Sequence, residues 1–224
     1  MKTYRKRQAP AELHRWQSSA RPWQDFACDA TSYEPVRAAL LVEQNHLCCY
    51  CEIDVTPTVC HVEHFQPRHG PQGDASQTFA YANLACSCDG GTDGNRHCGH
   101  YKGAQYDRAR FINPSVEDSG PLFLYTLEGN IGAAATLNAT DQDRVSYMIG
   151  LLHMDCPRLS SMRRAHARGL TSVIQSLLDD PIGLDELERF YLTPDSEGRL
   201  QRFFSLSHQL LGVSADAIDG APEE

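Results

Sequence analysis

Apolar positions in the second half of the chain repeat with the period of a helix. Val145, Met148, Ile149 and Leu152 fall at i, i+3, i+4 and i+7, the stripe of a helix with one face on a core. After Pro157 the stripe resumes with Leu159, Met162, Leu170, Val173, Ile174 and Leu177. Leu184, Leu187, Phe190 and Tyr191 predict a third helix, and Leu200, Phe203, Phe204, Leu210 and Leu211 a fourth. Ahead of these, residues 122–127 and 131–135 flank Glu128-Gly129-Asn130, which predicts a hairpin.

The first half is less regular. Residues 1–33 are polar, basic and aromatic, an arm with one short helix over 11–18. A helix opens at Glu34-Pro35, where proline suits the first turn, and carries Val36, Leu40 and Leu41 up to about His46. Residues 59–65 predict a strand that stops before Pro67, and Pro67, Gly70, Pro71 and Gly73 make 66–78 a loop. A second strand is expected over 78–85, ending in Asn83-Leu84. A glycine-rich excursion over 89–95 follows, then a helix over 98–110 with His100 and Lys102 in its first turn. The fold class is α+β, divided as 1–46 (basic arm and helix), 47–112 (a small core) and 113–224 (hairpin and helical region). The acidic last ten residues are expected to fray.

With 224 residues the chain can bury one sizeable core. No apolar run approaches the roughly 20 residues of a membrane span. The basic start, Met1 to Arg7, lacks an apolar stretch behind it, so it does not resemble a signal peptide. These features predict a cytoplasmic protein with no membrane partner. In that compartment nine cysteines argue for metal binding over disulfides. Cys28, Cys60 and Cys156 are expected as small buried core residues.

A net charge of −9 disfavours nucleic-acid contact, which needs Lys and Arg. The charge is uneven, however. Residues 1–25 hold six basic side chains against two acidic ones, whereas 171–224 hold three arginines against eleven acids. Such a gradient allows a nucleic-acid face at one end and a protein partner, or plain solvent, at the other.

Candidate chemistry is concentrated over 48–103. Cys48-x-x-Cys51 is half of a tetrahedral thiolate site, whose second half must come from Cys86, Cys88 or Cys98. Four thiolates leave no open position for water, so the zinc would be structural. Between the cysteine clusters lies His61-Val62-Glu63-His64. Its spacing excludes a helical zinc-protease motif. On a strand, His61 and Glu63 share one face and His64 points to the other, so a joint role for Glu63 and His64 requires the strand to end or twist there. Glu63 could ligate a divalent ion and His64 could take a proton from water.

The order Cys48-x-x-Cys51, Glu63-His64, Asn83-Leu84, Cys98 and Lys102-Gly103, on strand, loop, strand and helix, resembles an HNH endonuclease of the ββα-metal type. More narrowly, CxYCE, HVEHFQPR, YANLACSC and CGHYKG resemble the PtuB-like HNH subunits of Septu anti-phage systems, over about residues 30–170. The resemblance implies a zinc-stapled ββα-metal core that hydrolyses phosphodiester bonds. It implies His64 as general base, Glu63 as acidic ligand of Mg2+ or Mn2+, and Asn83 as the asparagine that orients the histidine. The family's His or Asn after the last cysteine is here Gly99, so the second magnesium ligand falls to His100. The zinc set becomes Cys48, Cys51, Cys88 and Cys98, with Cys49 and Cys86 as substitutes, and Lys102 and Arg68 become substrate contacts. The resemblance also implies an ATPase partner of the ABC or SMC type, with the helices over 141–211 as a docking surface. The competing expectation is a non-catalytic zinc-binding adaptor.

Overall fold

A computed structural model describes residues 1–19 and 21–219, with side chains to residue 212. Its first elements are three helices, α1 (Ala11–Gln17), α2 (Trp23–Cys28) and α3 (Ala30–Glu43). The stretch expected to be a loose arm is built into the core: Met1, Tyr4, Leu13, Trp16, Trp23 and Phe26 are all buried. Helix α2 was not expected. It is a short helix whose apolar residues, Trp23 and Phe26, insert into an aromatic cluster with Trp16 and Phe79. Helix α3 begins earlier than Glu34-Pro35. Asp29 caps it by accepting from Thr31 N–H at 3.2 Å, and Pro35 sits inside, where the helix forgoes one backbone bond.

A tight turn after α3 carries Cys48 and Cys51 and is closed by a bridge between Leu47 and Asp54. Strand β1 (Cys60–His64) and strand β2 (Leu84–Cys88) then pair antiparallel, with His61 opposite Ser87 and Glu63 opposite Ala85. β1 falls where expected. β2 does not: 78–83 is a turn, and the strand runs Leu84–Cys88, all five residues buried, meeting the expected range only at Leu84 and Ala85. A strand covered on both faces shows no alternation of polar and apolar positions, so its start is not marked in the pattern. Helix α4 (Cys98–Lys102) is much shorter than 98–110. Gly103, at φ +55°, takes the chain out of the helix.

The hairpin forms as expected from β3 (Phe123–Tyr125) and β4 (Ile131–Ala133). Four helices follow: α5 (Ala139–Leu152), α6 (Pro157–Ser176), α7 (Pro181–Leu192) and α8 (Phe204–Asp219). Of the last ten residues, 215–219 continue α8 and 220–224 lie outside the described residues. The molecule is α+β, with two small two-stranded sheets among helices. One hydrophobic cluster runs from Met1 to Leu206, and a smaller one joins α6 and α8 through Leu170, Ile174 and Leu211, with Leu184 and Leu187 of α7 packed against it. Among the described residues no helix is long and apolar enough to cross a membrane.

The two halves meet at Glu52, next to Cys51. Its buried carboxylate accepts from the backbone N–H and hydroxyl of Ser205, both at 2.7 Å, at the start of α8. It also lies 3.3 Å from the Met1 ammonium. The cysteine turn is thereby tied to the first residue of the chain and to the start of α8.

Candidate active site

The sulfurs of Cys48, Cys51, Cys88 and Cys98 all lie within 4.8 Å of one another, and all four residues are buried. They come from the turn after α3, the end of β2 and the start of α4, so one tetrahedral ion could tie three segments together. Four thiols so disposed could bind zinc. Backbone geometry favours the cluster: Cys88 N–H donates to Cys48 Sγ at 3.3 Å. Cys98 adopts φ +57°, a conformation that L-residues enter at a cost of about 1–2 kcal/mol. Burial opposes charge on Cys48, yet hydrogen bonds from the surrounding thiols hold its pKa well below the usual thiol range. Cys49 and Cys86 lie outside the group of four. Cys60 and Cys156 are buried as expected, but Cys28 is exposed at the end of α2.

β1 starts beside this cluster, with Cys60 opposite Cys88. Glu63 is buried, with three donors around its carboxylate. Lys102 Nζ lies 2.9 Å from Oε1, Tyr50 donates its hydroxyl to the same oxygen at 3.2 Å, and His61 Nε2 is 3.5 Å from Oε2. Burial penalises the Glu63 charge, but His61 and Lys102 outweigh it and keep the pKa below the ordinary carboxylate value. Lys102 sits where a surface phosphate contact was expected, yet it is only 1 % exposed. Its ammonium also donates to the backbone oxygens of His64 at 2.9 Å and Gly103 at 3.5 Å. All three of its donors are occupied within the protein.

His64 is at the end of β1, where the strand gives way to a loop, and it reaches the same cleft as Glu63. Its Nε2 is 2.9 Å from the Thr78 carbonyl. A carbonyl only accepts, so Nε2 carries the hydrogen and Nδ1 keeps its lone pair. The Trp23 ring packs edge-on against the imidazole, centroids 4.4 Å apart. Burial drives the His64 pKa down to about 4, so the ring is neutral at neutral pH. Asn83 accepts from Gln66 N–H at 2.8 Å and donates to the carbonyls of Gln66 and Gln77, fastening both ends of the 66–77 loop. The Thr78 carbonyl that holds His64 directly follows that loop.

His61, Glu63, His64, Arg68, His100 and Lys102 line one open cleft of about 320 Å³. A larger cleft of about 530 Å³ adjoins it and shares Trp23, Arg68 and His69. Arg68 is partly exposed and lies over the Trp23 ring at 5.4 Å. His100 is exposed, its Nδ1 is 2.6 Å from the Asp89 carbonyl, and its ring stacks on that of His61 at 4.2 Å. The structure thus brings Glu63, His64, Arg68 and His100 to one cleft, and places Asn83 behind it as a loop clasp. Three contributors carried no mark in the sequence pattern: Trp23, the Thr78 carbonyl and the buried setting of Lys102. Tyr50 stood within the cysteine motif and could have been suspected on that ground.

No protein-family model matches the chain. Over 141 residues it is 26% identical to a protein of Vibrio cholerae serotype O1 biovar El Tor named "Retron Vc95 putative HNH endonuclease", covering 63% of this chain and 67% of that relative. The α+β architecture and the four-cysteine cluster are consistent with an HNH-like core, and the relative's name suggests a nuclease.

Two outcomes are expected. Cys51→Ser, or zinc removal by a chelator, should lower bound zinc from one per chain to near none and abolish the cooperative thermal transition. An unchanged melt would show that the cluster does not hold the fold. The second outcome concerns His64. Its folded pKa lies below the unfolded value of about 6.5, so the unfolded chain binds the extra proton between these values. Stability should therefore fall as pH drops from about 6.5 to about 4 and level off below, by at most about 3 kcal/mol from this residue. Urea unfolding without added divalent ion should show a smaller acid loss in His64→Gln than in the unmodified chain.

Proposed function

We propose that the protein is a metal-dependent HNH endonuclease that hydrolyses phosphodiester bonds of nucleic acid, and that it acts as the nuclease effector of an anti-phage defence system of the Septu type. The observation that carries the nuclease reading is the state of His64: a buried, neutral imidazole, with Nε2–H held by a carbonyl and Nδ1 free, in the same cleft as Glu63.

In this reading His64 accepts a proton from the attacking water at Nδ1. The Thr78 carbonyl fixes the tautomer and steadies the imidazolium that forms. Low pKa makes the ring a weak base but keeps it unprotonated through the working range. Asn83 holds the loop on which that carbonyl depends. Glu63 and His100 are the residues to hold Mg2+ or Mn2+, and carboxylate with imidazole suits such an ion. When bound, the ion would supply charge stabilisation to the phosphate oxygens and the leaving alkoxide. Lys102 serves as a positioning residue, keeping the Glu63 carboxylate and the His64 backbone in register. Arg68, partly exposed in the same cleft, is left to contact the phosphate.

Defence and partnership are supported by the sequence resemblance, and the word retron in the relative's name is in keeping with them. An ABC- or SMC-type ATPase would restrain and trigger the nuclease, docking on the helical region.

Plasmid nicking and RNA cleavage, with and without Mn2+ or Mg2+, test the activity. His64→Ala should reduce cutting by at least about a hundredfold while zinc content and the folded state are retained, with melting lowered by the loss of a buried, hydrogen-bonded ring. Cutting that survives the substitution would reject the assignment, and a parent chain that cuts neither substrate would favour the adaptor. Co-expression with an ATPase encoded next door should give one co-eluting complex. Separate elution would remove the partner from the proposal.

A further inference from the structure

We infer that the larger cleft, beside the one that holds Glu63 and His64, is a binding subsite for a single nucleic-acid strand. It would receive the unpaired nucleotides next to the phosphate that is cut. The inference rests on the nuclease reading and gives its substrate class, a strand that is unpaired at the cut.

The two clefts adjoin. Trp23, Arg68 and His69 line both, so a strand with one phosphate beside His64 leads past Arg68 into the larger space. That space, of about 530 Å³, belongs mostly to parts of the chain outside the strands and helix of the motif. Gln17, Arg21, Trp23 and Gln24 line it from α1, α2 and the connection between them, and Arg68 and Ser76 from the loop after β1.

Its charge is unlike that of the molecule. The chain carries a net charge of −9, yet the described residues lining this cleft include two arginines and no Asp or Glu. A local cationic surface on an acidic protein draws a polyanion to that place. Both arginines lie over buried indole rings, Arg21 over Trp16 at 4.4 Å and Arg68 over Trp23 at 5.4 Å. A contact of this kind uses the face of the guanidinium and leaves its N–H edge for phosphate oxygens. Among the described residues Arg68 donates no hydrogen bond to the protein. Arg21 Nε lies 3.2 Å from Asp25, but both side chains are largely in solvent, where such a pair contributes little and a phosphate can replace it.

The size and make-up of the cleft favour one strand over two. Its volume is that of a small-molecule site, with room for roughly one or two nucleotides and not for both strands of a duplex. Cations beside flat side-chain faces, tracking a backbone, are the elements of single-strand grooves. Gln24, exposed at the start of α2, adds an amide that can meet the edge of an unpaired base.

Fluorescence anisotropy on the zinc-loaded full chain tests this, without added Mg2+ or Mn2+ so that the probe is not cut. A labelled single strand of about 12 nucleotides is compared with a duplex of the same sequence, and the strand should bind at least about tenfold more tightly. Arg21→Ala should weaken strand binding about fivefold at about 0.1 M salt and flatten the log–log salt dependence by about 0.7, the loss of one phosphate contact. A merely structural role for Arg21 would leave that slope alone. Gln24→Glu puts a carboxylate into the lining at a position in the first helical turn that suits one, and it should weaken strand binding by a similar factor. Should Arg21→Ala melt early, Gln24→Glu carries the test. Affinities within about twofold of the parent in the folded variants, or a duplex held as tightly as the strand, would overturn the inference. The nuclease reading would survive that result wherever the parent still cuts nucleic acid. A parent chain that neither binds a strand nor cuts would remove the nuclease reading and this inference together.

Discussion

Four sulfur atoms set the geometry on which the rest depends. The core around the cleft consists of two five-residue strands and a five-residue helix, set within the hydrophobic cluster that runs from Met1 to Leu206. The cluster joins the turn after α3, the last residue of β2 and the first residue of α4. From Cys98 it is one turn of helix to His100 and Lys102, so their distance from β1 is decided where the sulfurs meet. The same turn presents Glu52 to Met1 and to the start of α8, which makes the C-terminal helices an extension of that joint.

The second constraint is the pair of Glu63 and Lys102. Two opposite charges 2.9 Å apart with almost no exposure recover their desolvation cost only with good geometry and further hydrogen bonds. Both conditions hold: Tyr50 completes the carboxylate, and two backbone oxygens complete the ammonium. One of those oxygens belongs to His64. The pair therefore locks α4 against the end of β1 and fixes where the His64 side chain departs. It also assigns the carboxylate oxygens, one turned inward to the lysine and one toward the cleft. A divalent ion beside this site would meet Glu63 already partly neutralised, which limits its affinity unless other donors join.

What was legible in the chain followed from local rules. β1 is bounded by Pro67, the hairpin by Gly129 and Asn130, and the last four helices are marked by apolar stripes of helical period, although Leu177, Leu200 and Phe203 fall just outside α6 and α8. The four clustered cysteines are the set that the family resemblance implied, and Glu63, His64, Arg68 and His100, named on the same ground, line one cleft. Illegible features depended on distant partners. β2 was misplaced because burial on both faces erases its alternation. The α4 helix was drawn too long because Gly103 was not weighted as a stop. Lys102 looked like a surface cation, since nothing near it in sequence announces the carboxylate that buries it. Trp23 looked like part of an arm because its contacts are to β1 and Phe79, far along the chain.

That last misplacement bears on the chemistry. The low pKa of His64 arises chiefly from burial, and one wall of that burial is Trp23 from α2, outside the strands and helix that carry the motif. Strand β1 supplies the imidazole and Thr78 supplies its tautomer, but the N-terminal helices help exclude water from one side of the ring. The same Trp23 underlies Arg68, so the residue that walls the His64 imidazole also places a cation beside it. Residues 1–46, expected as an arm and helix apart from the core, are in this sense part of the site: Trp23 lines both clefts and Arg21 lines the larger one.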